Sequence, residues 1–189
     1  LNVGNSVTAL NGFFPGPGSS SFTFSSSGSF DYAENSADAD VIGTVQTVNA
    51  TGSVSYSIAS GNSNGWYEIN SSTGQISLTS TGVSNSVPND YETLPNSRTI
   101  TVFADDGSDV IAQTITLSET DVNDAPSFTG TNATDGGGNP SYAFSYEEGR
   151  AADAFVGQVA ASDMDSGDTI TFAIASGNSD GWFQIDGST

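Results

Sequence analysis

The side chains able to do chemistry in this chain are carboxylates. There are 22 Asp and Glu against two basic residues, Arg98 and Arg150, for a formal charge of -20. Cysteine and histidine are absent. Their absence removes disulfides, zinc sites of the thiolate or imidazole kind, histidine acid–base catalysis and thiol nucleophiles. What remains is oxygen-donor chemistry. A dense carboxylate population attracts multivalent cations, and calcium takes about six to eight oxygens at ~2.3–2.6 Å. Paired carboxylates also suit glycoside hydrolysis, but that reaction needs a pocket and a raised carboxyl pKa. Nothing in the sequence points to either, so the chain reads as a non-enzyme. An acidic surface also serves solubility and saline adaptation, so charge alone does not decide. Without a basic patch the chain repels nucleic acid and anionic lipid. No apolar run approaches the ~18–20 residues needed for membrane insertion. Asp38, Asp40, Asp109, Asp135 and Asp168 read as surface loop residues, and Asp105-Asp106 as a solvated turn.

The elements that must position these groups are strands. Ser, Thr, Gly and Asn dominate and Lys is absent, which argues against long helices. Apolar residues alternate instead: Val54, Tyr56 and Ile58; Ile100, Val102 and Ala104; Ile115 and Leu117; Ile170, Phe172 and Ile174. Period two with β-branched and aromatic residues predicts half-buried strands. Thr73-Gly74 and Asp106-Gly107 punctuate them. Many short strands at this spacing predict an all-β antiparallel sandwich. Trp66 and Trp182 each precede an aromatic-x-Ile pair whose members face the core, so each Trp faces the other way, packed against a loop. Asn49, Asn70 and Asn132 head N-x-S/T sequons, which arise readily in so Ser/Thr-rich a chain.

Self-similarity organises the chain. IASGNSNGWYEINSST at 58–73 recurs as IASGNSDGWFQIDGST at 174–189, an offset of 116. Upstream, Tyr32-Ala33-Glu34 answers Tyr146-Glu147-Glu148, and Ile42-Gly43-Thr44-Val45 answers Val156-Gly157-Gln158-Val159, both at an offset of 114. A two-residue gap therefore lies between. The reading is a linker or upstream tail over 1–27, one β-sandwich repeat over 28–126, and the N-terminal part of a second over 127–189. In that register Thr189 answers Thr73, so the counterparts of residues 74–126 are not present. Phe144, Phe172 and Ile174 are then expected to lack an opposing sheet.

In order, the first repeat shows Ala33-Glu34-Asn35, Tyr56-Ser57-Ile58, Tyr67-Glu68-Ile69-Asn70 and Thr73-Gly74-Gln75-Ile76. It continues with Asp90-Tyr91-Glu92, Val102-Phe103-Ala104-Asp105-Asp106-Gly107 and Asp121-Val122-Asn123-Asp124-Ala125-Pro126. This ordered set resembles a cadherin repeat, in the version found in bacterial RTX-type extracellular adhesins. The resemblance covers about Ser29 to Thr189.

The resemblance implies a seven-stranded Greek-key sandwich per repeat, with Ca2+ at the junction between successive repeats. By position, it assigns metal ligation to Glu34, to Asp90 and Glu92, to Asp121, the Asn123 carbonyl and Asp124 of the linker, and to Asp163 and Asp165 of the following repeat. Like-charged carboxylates converge only around a cation. In the first repeat the positions answering Asp163 and Asp165 hold Asn49 and Thr51, and residues 1–27 contain no acid. The upstream junction is therefore expected to be calcium-poor. Asp105 sits where the family also ligates that junction, and Glu148 answers Glu34. The implied function is an extender module of a secreted or cell-surface adhesin. Its partners are calcium and neighbouring repeats of the same or identical chains, with any cell-surface or carbohydrate ligand elsewhere in the protein. The competing reading is a subunit of a self-assembling extracellular fibre or matrix.

Overall fold

The computed structural model describes residues 21–85, 87–130, 133–134 and 140–188. Most of the 1–27 segment, the Asn132 sequon and Asp135 lie outside the described residues. The chain divides into two compact units, 1–120 and 121–189.

The first unit holds β1 (Thr23–Phe24), β2 (Ser29–Ala33), β3 (Val41–Thr44), β4 (Thr47–Val48), β5 (Ser55–Ser60), β6 (Tyr67–Ile69) and β7 (Gln75–Leu78). One helical turn, α1 (Ser80–Val83), leads on to β8 (Ser97–Asp105) and β9 (Val110–Thr120). One sheet runs in the order β2-β9-β8-β5 and a second β3-β7-β6, with a short β1-β4 pair beside them. All pairings are antiparallel except β2 with β9, which run parallel. The alternation forecast from sequence is realised on β8 and β9, where Ile100, Val102, Ala104, Ile115 and Leu117 are buried. They meet Tyr32 and Tyr56 from the same sheet and Tyr67, Ile76 and Leu78 from the other. The core is thus the space between two sheets, filled from both inner faces. Val54, Ile58 and Ile69 complete it as half-buried neighbours.

The β8–β9 hairpin closes through Asp106-Gly107-Ser108-Asp109. Asp106 Oδ1 accepts the amides of Ser108 and Asp109, both at 2.9 Å. Gly107 takes φ +87°, a conformation that suits glycine.

The second unit carries β10 (Ser127–Thr129), β11 (Ala133–Thr134), β12 (Pro140–Ser141) and β13 (Ala160–Ser162), with β10 paired to β13 and β11 to β12. Local features of the first unit recur here. Asn62 brackets Tyr67, donating to its carbonyl at 2.6 Å and accepting its amide at 3.1 Å; Asn178 brackets Phe183 at 2.7 and 3.0 Å. A Cβ on Gly43 would fall in the ring of Phe30, and one on Gly157 in the ring of Phe144. Both pairs keep the offset of 114.

The strand forecast over Ile170–Ile174 does not form. In the first unit the matching β5 is held by β8; among the described residues no strand pairs with 170–174. A strand exists only by hydrogen bonding to a neighbour. Phe172 instead donates its amide to Gly187 at 3.1 Å. The apolar side chains stay open: Phe144, Tyr146, Phe155, Trp182 and Phe183 are all exposed.

Candidate metal centre

Three segments of the first unit meet at one end of its sandwich. Glu34 follows β2, whose line the parallel ladder with β9 continues: the Glu34 amide donates to Thr120 O at 3.0 Å. Asn35 next adopts φ +57° and turns the chain. Asp90 and Glu92 lie in the loop before β8. Asn89 ties that loop to the turn after Glu34, accepting the Ser36 amide at 3.0 Å and donating to Ser36 O at 3.2 Å. The Tyr91 amide donates to Glu34 Oε2 at 2.8 Å. The effect of these ties is to place carboxylate oxygens of Glu34, Asp90 and Glu92 within 4.8 Å of one another.

Glu34 is 3% exposed and Asp90 Oδ1 is buried without a hydrogen-bond partner. An all-carboxylate set, partly dehydrated, suits a hard divalent cation that takes oxygen ligands. It is a poor site for a soft metal. The residues therefore fit calcium.

Sequence reasoning missed Glu119. It is 5% exposed. Burial, and then the charges of Glu34, Asp90 and Glu92, push its carboxyl up to about 7. Its signal in the sequence was its phase. Glu119 continues the inward positions of Ile115 and Leu117 on β9, where an acid is out of place unless something holds it.

The second unit assembles another group. One oxygen each from Asp163, Asp165 and Asp168 lie within 4.8 Å of one another. The Asp124 amide donates to Asp165 Oδ2 at 2.5 Å, and the Asp165 amide to Asp163 Oδ1 at 3.2 Å. Asn123 donates its side-chain amide to Asp124 O at 2.6 Å; Asp121 and Asn123 are exposed on the same segment. Asp168 was read as a loop residue; it is exposed, yet it joins this carboxylate group. It lies where the second copy is two residues longer than the first, and Gly167, at φ +114°, makes the turn that brings it round.

At the positions answering Asp163 and Asp165 the first unit has a different arrangement. Asn49 donates to Ser21 O at 3.1 Å, and Thr51 bonds Asp106. Asp105 Oδ1 accepts the Gly107 amide at 2.7 Å. Trp66 is half-buried against the core, with the Arg98 guanidinium 4.5 Å above its ring.

No family model and no curated protein matches the sequence. Solved structures do match. The crystal structure of human protocadherin-24 EC1-2 superposes with a TM-score of 0.52 at 17% identity, covering 85% of this chain and 70% of that one. Form II of the same human protein gives 0.51 at 21%, covering 74% and 59%. Protocadherin gamma B2 extracellular cadherin domains 3-6 give 0.51 at 21%, covering 89% and 41%. The chain thus spans less than two thirds of the length of the latter two. The fold is a cadherin-like β-sandwich.

Proposed function

We propose that this chain is a calcium-dependent structural segment of a secreted or cell-surface adhesin of the bacterial RTX type. In this reading Ca2+ binds at the junction between repeats, held by Glu34, Asp90, Glu92, Asp121, the Asn123 carbonyl, Asp124, Asp163 and Asp165, and rigidifies the array. The role is mechanical rather than catalytic. The repeat spans 28–126, the second begins at 127, and any adhesive ligand is recognised elsewhere in the protein. The observation that supports this most is the convergence of Glu34, Asp90 and Glu92 at one end of the sandwich. Three carboxylates at that separation repel one another unless a cation lies among them. Asp163, Asp165 and Asp168 form a second such group on the other unit.

Thermal melting with calcium, magnesium or chelator tests the reading. Ligand binding to the native state adds about RT ln(1 + [L]/Kd), or ~2.7 kcal/mol at a hundredfold excess over Kd. Magnesium substitutes poorly, because it demands octahedral geometry and keeps its waters. An unchanged midpoint in calcium sinks the proposal. The exposed aromatic side chains of the second unit favour a second reading, a fibre subunit completed by strands of a neighbouring copy. Concentration-dependent sedimentation of the purified chain separates the two.

A further inference from the structure

The chain leaving β5 opens a cavity against the start of β8. The ladder between the two strands ends at Ser60 and Thr101, after a bulge between Ile58 and Ser60, so β5 does not cover β8 over Ser97–Thr99. Gly61, at φ +84°, turns the chain away. A Cβ on Gly61 would run into Thr99 O, so this turn lies tight against β8. The cavity measures about 300 Å³ and is walled by Asn62, Asn64 and Trp66 on one side and by Ser97, Arg98 and Thr99 on the other. Two of these residues are fixed from behind. Asn62 is held by its bracket on Tyr67, and the Trp66 carbonyl accepts the Thr79 amide at 2.9 Å. The volume is at the small end of ligand sites and suits a single sugar ring.

The wall is polar and holds one charge. Arg98 is the single basic residue of the first unit in a chain with 22 acids, yet the described residues lining the cavity include no acid. Its guanidinium lies 4.5 Å above the Trp66 ring, and its Nε is buried without a hydrogen-bond partner. Stacking uses a face of the guanidinium and leaves the terminal N–H groups on its edge to fork a carboxylate. Asn64, Ser97 and Thr99 are exposed and add a carboxamide and two hydroxyls, which are neutral donors and acceptors. A charged fork among neutral hydrogen-bonding groups matches a ligand with one carboxylate and several hydroxyls. The net charge of -20 opposes any anion, but at physiological ionic strength charges more than about 8 Å away are largely screened.

We propose that this cavity is a binding site for an acidic saccharide. It takes one hexuronate ring, with the carboxylate on the terminal nitrogens of Arg98 and the hydroxyls on the neutral groups of Asn64, Ser97 and Thr99. This goes beyond the structural role proposed above and does not depend on calcium: the glycan contact lies on the repeat itself, apart from any adhesive ligand recognised elsewhere. The second copy keeps Gly177, Asn178 and Trp182 at the answering positions but has Asp180 where the first has Asn64, and an acid there repels a carboxylate. The site therefore belongs to the first unit.

The test titrates the isotope-labelled full chain with methyl glucuronide, methyl glucoside or acetate and follows the Trp66 indole resonance by NMR, with saturation transfer to each ligand as a second readout. The two glycosides differ only in a carboxylate in place of a hydroxymethyl group, and acetate has the carboxylate without the ring. The glucuronide is expected to bind roughly tenfold or more tightly than either of the others. Arg98→Lys keeps the charge but loses the fork, and weakens glucuronide binding. Asn64→Asp, which copies the second repeat at an exposed position, leaves the melting midpoint in place, lowers glucuronide affinity roughly tenfold and spares the response to glucoside. Absence of glucuronide binding overturns the proposal. Equal affinity for glucoside overturns the carboxylate fork, and equal affinity for acetate reduces the site to a non-specific anion contact. Glucuronide binding that survives unchanged in both variants also overturns it.

Discussion

Thr51 donates both its backbone amide, at 2.7 Å, and its hydroxyl, at 2.9 Å, to one oxygen of Asp106, Oδ2. In the second copy the residue answering Thr51 is Asp165, whose carboxylate instead accepts the Asp124 amide and joins Asp163 and Asp168. The same place in the repeat is thus a hydroxyl-to-carboxylate tie in one copy and a carboxylate gathering point in the other.

The Asp106 tie makes a pH prediction. Amides of Thr51, Asp109 and Ser108 hold the Asp106 carboxyl well below the usual carboxylate range. A depressed folded-state pKa contributes stability that is fully present above the unfolded value, about 3.9, and is lost as pH falls further. Asp106→Asn is therefore expected to melt below the parent at neutral pH, with the gap closing as pH drops below about 4. Paired melting curves across pH check this; a pH-independent gap sinks it.

Glu92→Gln removes one charge from the Glu34–Asp90–Glu92 group. Under the proposed calcium role, affinity is set by ligand charge, so this variant is expected to gain less in midpoint from calcium than the parent and to show an apparent Kd weakened roughly tenfold or more. Asp38→Asn, which removes an exposed acid outside any such group, leaves both unchanged. Calorimetric titration of the two variants decides. Equal losses in both would mean that net charge, not the site, governs binding.

The two tryptophans report on their copies separately. Trp182 is 78% exposed, whereas Trp66 packs against the core beneath Arg98. Acrylamide should quench Trp182→Phe, which retains only Trp66, far less than Trp66→Phe. Adding Arg98→Gln to the Trp182→Phe variant raises its quenching and removes a cation–π contact of about 0.5–1 kcal/mol. Equal quenching of the two single-tryptophan proteins contradicts the packing.

Gly43 and Gly157 occupy the same place in the repeat, each under a phenylalanine ring. Gly43→Ala forces Phe30 out of the first unit's packing, at a cost of about 1–3 kcal/mol. Gly157→Ala displaces Phe144, which is already 43% exposed, and costs less. Denaturant midpoints of the two variants are expected to differ in that order.

Much of this protein is legible from sequence because it is local. Alternation marks Ile100, Val102, Ala104, Ile115 and Leu117 as inward, since successive side chains on a strand face opposite ways whatever surrounds them. The repeat register sets Asn178 before Phe183 as Asn62 stands before Tyr67, and the same bracket forms in both because it spans only five residues. Glu34, Asp90 and Glu92 are named by motif, and the fold brings them together.

The rest depends on partners distant in sequence. Alternation says that Glu119 faces inward, but not that the core ends there against three other acids; that follows from the parallel seating of β9 on β2, nearly ninety residues earlier. Asp168 reads as a loop residue until the turn at Gly167 folds it back. Arg98 covers Trp66 only because β8 passes beside the approach to β6. The strand pattern at Ile170–Ile174 is sound, yet no strand forms, because a side-chain period fixes which face is apolar while the ladder itself belongs to two chain segments and needs both.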